Sequence, residues 1–144
     1  PADEEFIIGK AQILNEGTDV TVFATGHLVW KAVEAATQLA EAGISVELIN
    51  IHTIKPLDIQ AVLRSVSKTR CVVTAEEHQQ NGGLGDAIAQ VLVANDPVPM
   101  EMVAVNDSFG ESGTPDQLLV KYGLDAPDIV SKVRKVLDRK SRNR

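Results

Sequence analysis

The stretch Glu76-Glu77-His78-Gln79-Gln80-Asn81-Gly82-Gly83-Leu84-Gly85-Asp86 sets two carboxylates and an imidazole beside a glycine cluster. It follows the β-like run Cys71-Val72-Val73-Thr74 and precedes a helix-like run over residues 87–95. Titratable side chains therefore fall where a strand ends, and glycines where a helix begins. In α/β proteins ligands and partners are usually met at that junction. Glu77 and His78 have the chemistry of an acid–base pair. Neighbours on an extended segment point to opposite faces, so these two cannot address one substrate atom without a kink. No Ser or Cys stands in a strained elbow beside them. Gly82, Gly83 and Gly85 can present amides as an anion nest. They can equally permit a tight turn and close helix packing. The lysine and spacing of a phosphate loop are missing, which favours packing. Glu76, Glu77, His78, Gly82, Gly83 and Gly85 are thus expected to form an interface loop, with an anion loop as the alternative. No residue is assigned as catalytic, cofactor-binding or metal-binding.

Other constellations are weaker. No G-x-G-x-x-G opens a helix after a strand, and no G-x-x-x-x-G-K-[ST] occurs. A phosphoacceptor site needs carboxylates at the ends of the early strands to hold magnesium. The first long strand instead ends in Ala24-Thr25-Gly26-His27. His27, His52 and His78 all fall at the C-terminal ends of predicted parallel strands. Asp107 and Glu111 lie at the same edge and are expected to be solvated loop acids. Cys71, the single cysteine, sits in an apolar run and is expected to be a buried small hydrophobe.

The elements that position these residues alternate. An apolar piece over 11–14 turns at Asn15-Glu16-Gly17 into a β-branched strand over 20–25. Val29, Ala32, Val33, Ala36, Leu39 and Ala40 predict an amphipathic helix that Gly43 stops. A strand over 44–51 follows, closed by Lys55-Pro56. Ile59, Val62, Leu63 and Val66 mark a second helix, residues 71–75 a third strand. Ile88, Val91 and Leu92 line a third helix, broken by Pro97 and Pro99 before a strand over 100–105. Thr114-Pro115-Asp116-Gln117 predicts a short helix, by cap and first-turn proline. Ile129, Val130, Val133, Val136 and Leu137 mark the buried face of the last one. This order predicts a three-layer α/β fold: a mostly parallel mixed sheet of about five strands with helices on both faces. The 11–14 piece joins the strand over 20–25 through a short turn, so this pair must be antiparallel if it pairs at all, and one antiparallel edge strand is expected.

Bulk properties narrow the classes. The chain has 144 residues, enough for one domain with a real core. No apolar run approaches the length that crosses a bilayer. The start, Pro1-Ala2-Asp3-Glu4-Glu5, is acidic where a signal peptide is basic, and it lacks Met. A piece of a longer cytoplasmic protein is expected. Net charge is −6, yet residues 132–144 hold seven of the 14 Lys and Arg. Lys132, Arg134 and Lys135 are expected near a helix C-terminus, where cations suit the dipole. With 3% aromatics there is no stacking platform, and no nucleic-acid partner is expected.

Several pieces, taken in order, resemble one family. They are Thr25-Gly26, Ile54-Lys55-Pro56-Leu57-Asp58, Thr74-Ala75-Glu76-Glu77-His78 with Gly82-Gly83-Leu84-Gly85, residues 106–113, and Leu118-Leu119-Val120-Lys121-Tyr122-Gly123-Leu124. Together the chain resembles the C-terminal domain of the transketolase family, from about residue 9 to about residue 137. Glu77-His78 resembles the acid–histidine pair of transketolases, and Phe109-Gly110-Glu111-Ser112-Gly113 resembles transketolases split into two subunits. Deoxyxylulose-phosphate synthases and 2-oxo acid dehydrogenase β subunits share the domain and are the alternatives. The resemblance implies a parent transferase of the pentose phosphate pathway. It would carry a two-carbon ketol unit from a ketose phosphate to an aldose phosphate. It would use thiamine diphosphate and a divalent cation such as magnesium. It implies partners: the pyrimidine-binding and pyrophosphate-binding domains, in a homodimer or split-subunit assembly. This chain would be a docking domain, inactive and without cofactor alone. Residues 1–10 would be an incoming segment, 11–140 the domain and 141–144 a basic tail.

Overall fold

A computed structural model describes residues 9–77, 83–104 and 125–142. The elements run β1 (Gln12–Asn15), β2 (Val20–Ala24), α1 (Leu28–Glu41), β3 (Val46–Asn50), α2 (Ile59–Thr69), β4 (Val72–Glu76), α3 (Leu84–Asn95), β5 (Met100–Ala104) and α4 (Ala126–Arg142). The helix expected from Thr114, and the loop carrying Asp107 and Glu111, lie outside the described residues.

The strands form one sheet in the order β1-β3-β2-β4-β5. β2 pairs in parallel with β3 and β4, and β4 with β5. β1 is the antiparallel edge, but it pairs with β3 rather than with β2, the neighbour in sequence to which the short turn pointed, and its register shifts between Ile13 and Asn15. The four parallel strands are covered on both sides, which explains their near-continuous apolar sequence. Alternate residues serve opposite layers. Val20, Val22, Ala24, Val46, Leu48 and Val73 pack with α1 and α4. Phe23, Ile49 and Val72 pack with α2 and α3. The chain leaves β2 toward β3 and then crosses back to β4, so the strand order reverses between β2 and β4. At such a switch point the two following loops diverge and leave a crevice at the carboxyl edge.

The amino edge is closed by polar contacts. Residues 15–19 turn across the start of β3. Asn15 Nδ2 donates to Val46 O at 2.7 Å, Gly17 N to Glu47 Oε1 at 3.2 Å and Asp19 N to Ser45 O at 2.9 Å. Beneath them lies a buried hydroxyl cluster: Thr21 Oγ1 stands 2.7 Å from Ser65 Oγ and 2.6 Å from Thr69 Oγ1. Lys68 pairs with Glu47, whose side chain is buried in the sheet. Cys71 is fully buried, as expected, and burial pushes its thiol up to about 11.

Two expectations need correction. The residues that marked α2 do not all face inward: Val62 and Val66 are buried, but Ile59 is 47% exposed, while Ser65 and Thr69 turn inward. The cause is polar: Thr21 and Glu47 offer partners that an apolar pattern does not reveal. Lys132, Arg134 and Lys135 do not lie at a helix end, because α4 continues to Arg142. Lys132 and Lys135 instead stand 3.7 and 3.5 Å from Glu101 of β5, which Arg139 also binds at 2.6 Å. The helix thereby fastens an edge strand.

These pairs carry a pH dependence. Burial acts most strongly on Glu47 and raises its pKa, but the Lys68, Ser65 and Gly17 hydrogen bonds and the Lys68 charge together leave it below 4.5. Glu101 is likewise below 4.5: burial raises it, and Arg139, Lys135 and Lys132 outweigh that. A carboxyl depressed by folding adds stability above its unfolded pKa and loses it as pH falls through the folded value. Urea midpoints are therefore expected to hold between pH 7 and 5 and to fall below about pH 4.5. Glu47→Gln should flatten that acid limb.

Candidate functional site

The parallel strands end in register. Ala24 stands beside Asn50 and Ala75, and Ala75 beside Val103. The residues that follow therefore share one edge: Thr25, Gly26 and His27 after β2, His52 after β3, Glu76 and Glu77 at the end of β4. Thr25 N donates to Ala75 O at 3.2 Å and binds two of these ends together. His27 is exposed and occupies the N-cap position of α1, without a side-chain cap bond. His52 is also exposed. The sequence thus placed His27 and His52 on the correct edge. His78 and Gly82 lie outside the described residues.

Glu76 has a definite task. Its side chain is 1% exposed and turns toward the α3 layer. Oε1 accepts from Leu84 N at 2.7 Å, and Oε2 from Gly85 N at 2.6 Å. Those amides belong to the first turn of α3, which has no intrahelical acceptor for them. The N-cap residue is Gly83, which has no side chain to offer. Glu76 supplies the missing acceptor from the strand before the loop, and its negative charge suits the helix N-terminus. Two amides of the glycine cluster therefore already hold a carboxylate from the chain itself.

Gly85 is needed for space. A Cβ there would stand 2.5 Å from Met102 Sδ, 3.4 Å from Thr74 Oγ1 and 3.5 Å from Glu76 Oε2. Its absence lets α3 lie close on β4 and β5 and brings the amides within reach of Glu76. Gly83 is buried in the same turn. The packing role expected of the glycines holds at Gly85. The capping role of Glu76 was missed by sequence reasoning. One signal was available: the helix starts behind glycines, with no Ser, Thr, Asp or Asn at the cap, so an acceptor has to come from elsewhere.

Glu77 differs from Glu76. It is half-buried, and its Oε1 is buried without a hydrogen-bond partner. A carboxylate oxygen in that state is short of a donor. Among the described residues no three His, Cys, Asp or Glu side chains converge in a way that could hold a metal ion. The motif 54–58 is structural as well. Asp58 Oδ1 accepts from Ala61 N at 3.2 Å and caps α2, while Oδ2 accepts from Ala11 N at 2.9 Å. Lys55-Pro56, a cis peptide, lies in the same loop.

The chain thus belongs to the α/β class, with one antiparallel edge strand and a carboxylate, Glu76, that caps α3 from the carboxyl end of β4. Residues 9–129 match the family described as Transketolase, C-terminal domain, and the chain belongs to that family. It is 50% identical over 139 residues to 6-deoxy-6-sulfo-D-fructose transketolase subunit SqwH of Clostridium sp. (strain MSTE9), which covers 96% of this chain and 43% of that protein. It is 38% identical over 136 residues to 1-deoxy-D-xylulose-5-phosphate synthase 1 of Geobacter sulfurreducens, covering 91% of this chain and 21% of that one. A solved structure, a split-gene transketolase in an inactive β4 tetramer, superposes with a TM-score of 0.91 at 46% identity. It covers 97% of this chain and 46% of its own. The chain therefore spans less than half the length of these relatives. Among the described residues no helix is long and apolar enough to cross a membrane.

Proposed function

We propose that this chain is the C-terminal docking section of a split transketolase. In the assembled enzyme a two-carbon ketol unit passes from a ketose phosphate to an aldose phosphate. The observation that carries this is the 50% identity, over 96% of the chain, to a transketolase subunit. Identity favours a split parent over a synthase: 50% to the transketolase subunit against 38% to the synthase. The assembled form would be a cytoplasmic homodimer or split-subunit complex serving the pentose phosphate pathway.

Thiamine diphosphate and its divalent cation would be held by the pyrimidine-binding and pyrophosphate-binding domains. The cofactor supplies the carbanion chemistry. This chain supplies a rigid edge. Glu76 fixes the first turn of α3 to the end of β4, and Glu77 follows it at the carboxyl edge.

Isothermal titration of thiamine diphosphate with magnesium into the 144-residue chain is expected to give no saturable heat. Saturable binding at micromolar concentration would overturn the assignment.

A further inference from the structure

We propose that the outer face of α3, with the cleft beside it, is the surface on which the preceding section of the same polypeptide docks. The proposal rests on the docking reading above and names the face and its occupant.

α3 reads LGDAIAQVLVAN and carries three polar side chains, Asp86, Gln90 and Asn95. Leu84, Ile88 and Leu92 point into the core, yet Val93 on the outside is 76% exposed and Ala94 is exposed beside it. The outer face of α3 is therefore mixed, with Val93 and Ala94 set between the exposed Gln90 and Asn95, and among the described residues only its inner face is covered. Beside it runs a cleft of about 470 Å³ that is part apolar and part polar, with Ile54, Lys55 and Ile59 on one wall and Gln90, Val91 and Ala94 on the other. The Ile59 side chain, displaced from the core by the polar row on α2, forms part of this surface. The outer face of α1 offers a contrast, with Glu34, Thr37, Gln38 and Glu41 around a single exposed Trp30.

The occupant follows from where the chain arrives. Ala11 N is bonded to Asp58, in the loop that makes the first wall. A Cβ on Gly9 would stand 3.5 Å from Pro56 Cγ in the same loop. Residues 9–11 therefore run against the loop that forms the first wall of the cleft. The relatives carry more than half their length outside the matched region. A section attached covalently on this side has the raised effective concentration that a link provides for docking on the α3 face.

The test uses the full-length subunit, with a cysteine placed at one position at a time: Val93→Cys, Ala94→Cys, Trp30→Cys or Gln38→Cys. N-ethylmaleimide labelling is followed by peptide mass mapping, and native Cys71 is buried and does not compete. Val93→Cys and Ala94→Cys are expected to react about tenfold more slowly than Gln38→Cys, or slower still, as burial under a docked layer requires. That protection should persist on about 100-fold dilution, because an attached section does not dissociate. Protection lost on dilution would mean a second copy covers the face, and would overturn the proposal. Fast labelling at 93 and 94 with slow labelling at 30 would move docking to another face and leave the docking reading standing. Fast labelling at all four positions would remove the docking reading as well.

Discussion

Replacing Glu76 by alanine is expected to lower the stability of this chain by about 4 kcal/mol. Both carboxylate oxygens accept from amides of the first turn of α3, at 2.7 and 2.6 Å, and the side chain is 1% exposed. Alanine removes two charge-assisted bonds and leaves two buried donors that water cannot easily reach. Each such loss ordinarily costs about 1–3 kcal/mol. Glu76→Gln should fall between, since its amide oxygen satisfies one N–H while its NH₂ opposes the other. Glu77→Ala, which removes no hydrogen bond among the described residues, should change stability by about 0.5 kcal/mol or less. Urea unfolding separates the three. Hydrogen exchange should show the Glu76→Ala defect first at Leu84 and Gly85. Equal midpoints for Glu76→Ala and Glu77→Ala would contradict the capping role.

Gly17→Ala is expected to be nearly as severe, at about 3 kcal/mol or more. A Cβ on Gly17 would stand 2.2 Å from Val46 C and 2.4 Å from both Glu47 N and Val46 O. Those are backbone atoms of β3, so no rotamer change relieves the overlap. The turn must lift, and the bonds that cross from it to β3 weaken with it. Among them is the Gly17 N–H to Glu47, one of the contacts that keep that carboxyl ionised. The variant should therefore lose stability at pH 7 and also show a weaker acid limb. A midpoint within error of the parent would show that the turn does not need this close approach. Gly85→Ala should be milder, because its nearest obstacle is the flexible thioether of Met102.

How much of this was legible in the sequence depends on the kind of force involved. Strand runs such as Val20–Ala24 and the parallel order with an antiparallel β1 were readable. Apolar continuity marks the strands, but the short first turn pointed β1 to β2, whereas it pairs with β3. The buried face of α3 was readable because Ile88, Val91 and Leu92 recur at helical spacing. The face of α2 was readable at Val62 and Val66 but not at Ser65 and Thr69, which meet Thr21, because polar pairing across 44 and 48 residues leaves no periodic trace. Lys132 and Lys135 were misplaced for the same reason: their partner, Glu101, is remote in sequence. At the candidate site the residue types and the edge were correct, but the division of labour was not visible. Glu76 and Glu77 are adjacent and identical, and only the third dimension shows that Glu76 holds a helix while Glu77 retains an unpartnered oxygen.

The central claim is that this loop serves architecture and docking rather than bond-making. The measurement that tests it most directly is steady-state kinetics of the assembled enzyme carrying Glu77→Gln, and separately His78→Asn. Assembly and thiamine diphosphate affinity are monitored alongside. Both variants are expected to keep kcat within about threefold of the parent, with any loss appearing as weaker assembly. A fall in kcat of about 100-fold or more, with assembly and cofactor affinity intact, is the size that loss of a general acid or base produces. That result would contradict the account and return the loop to the active site.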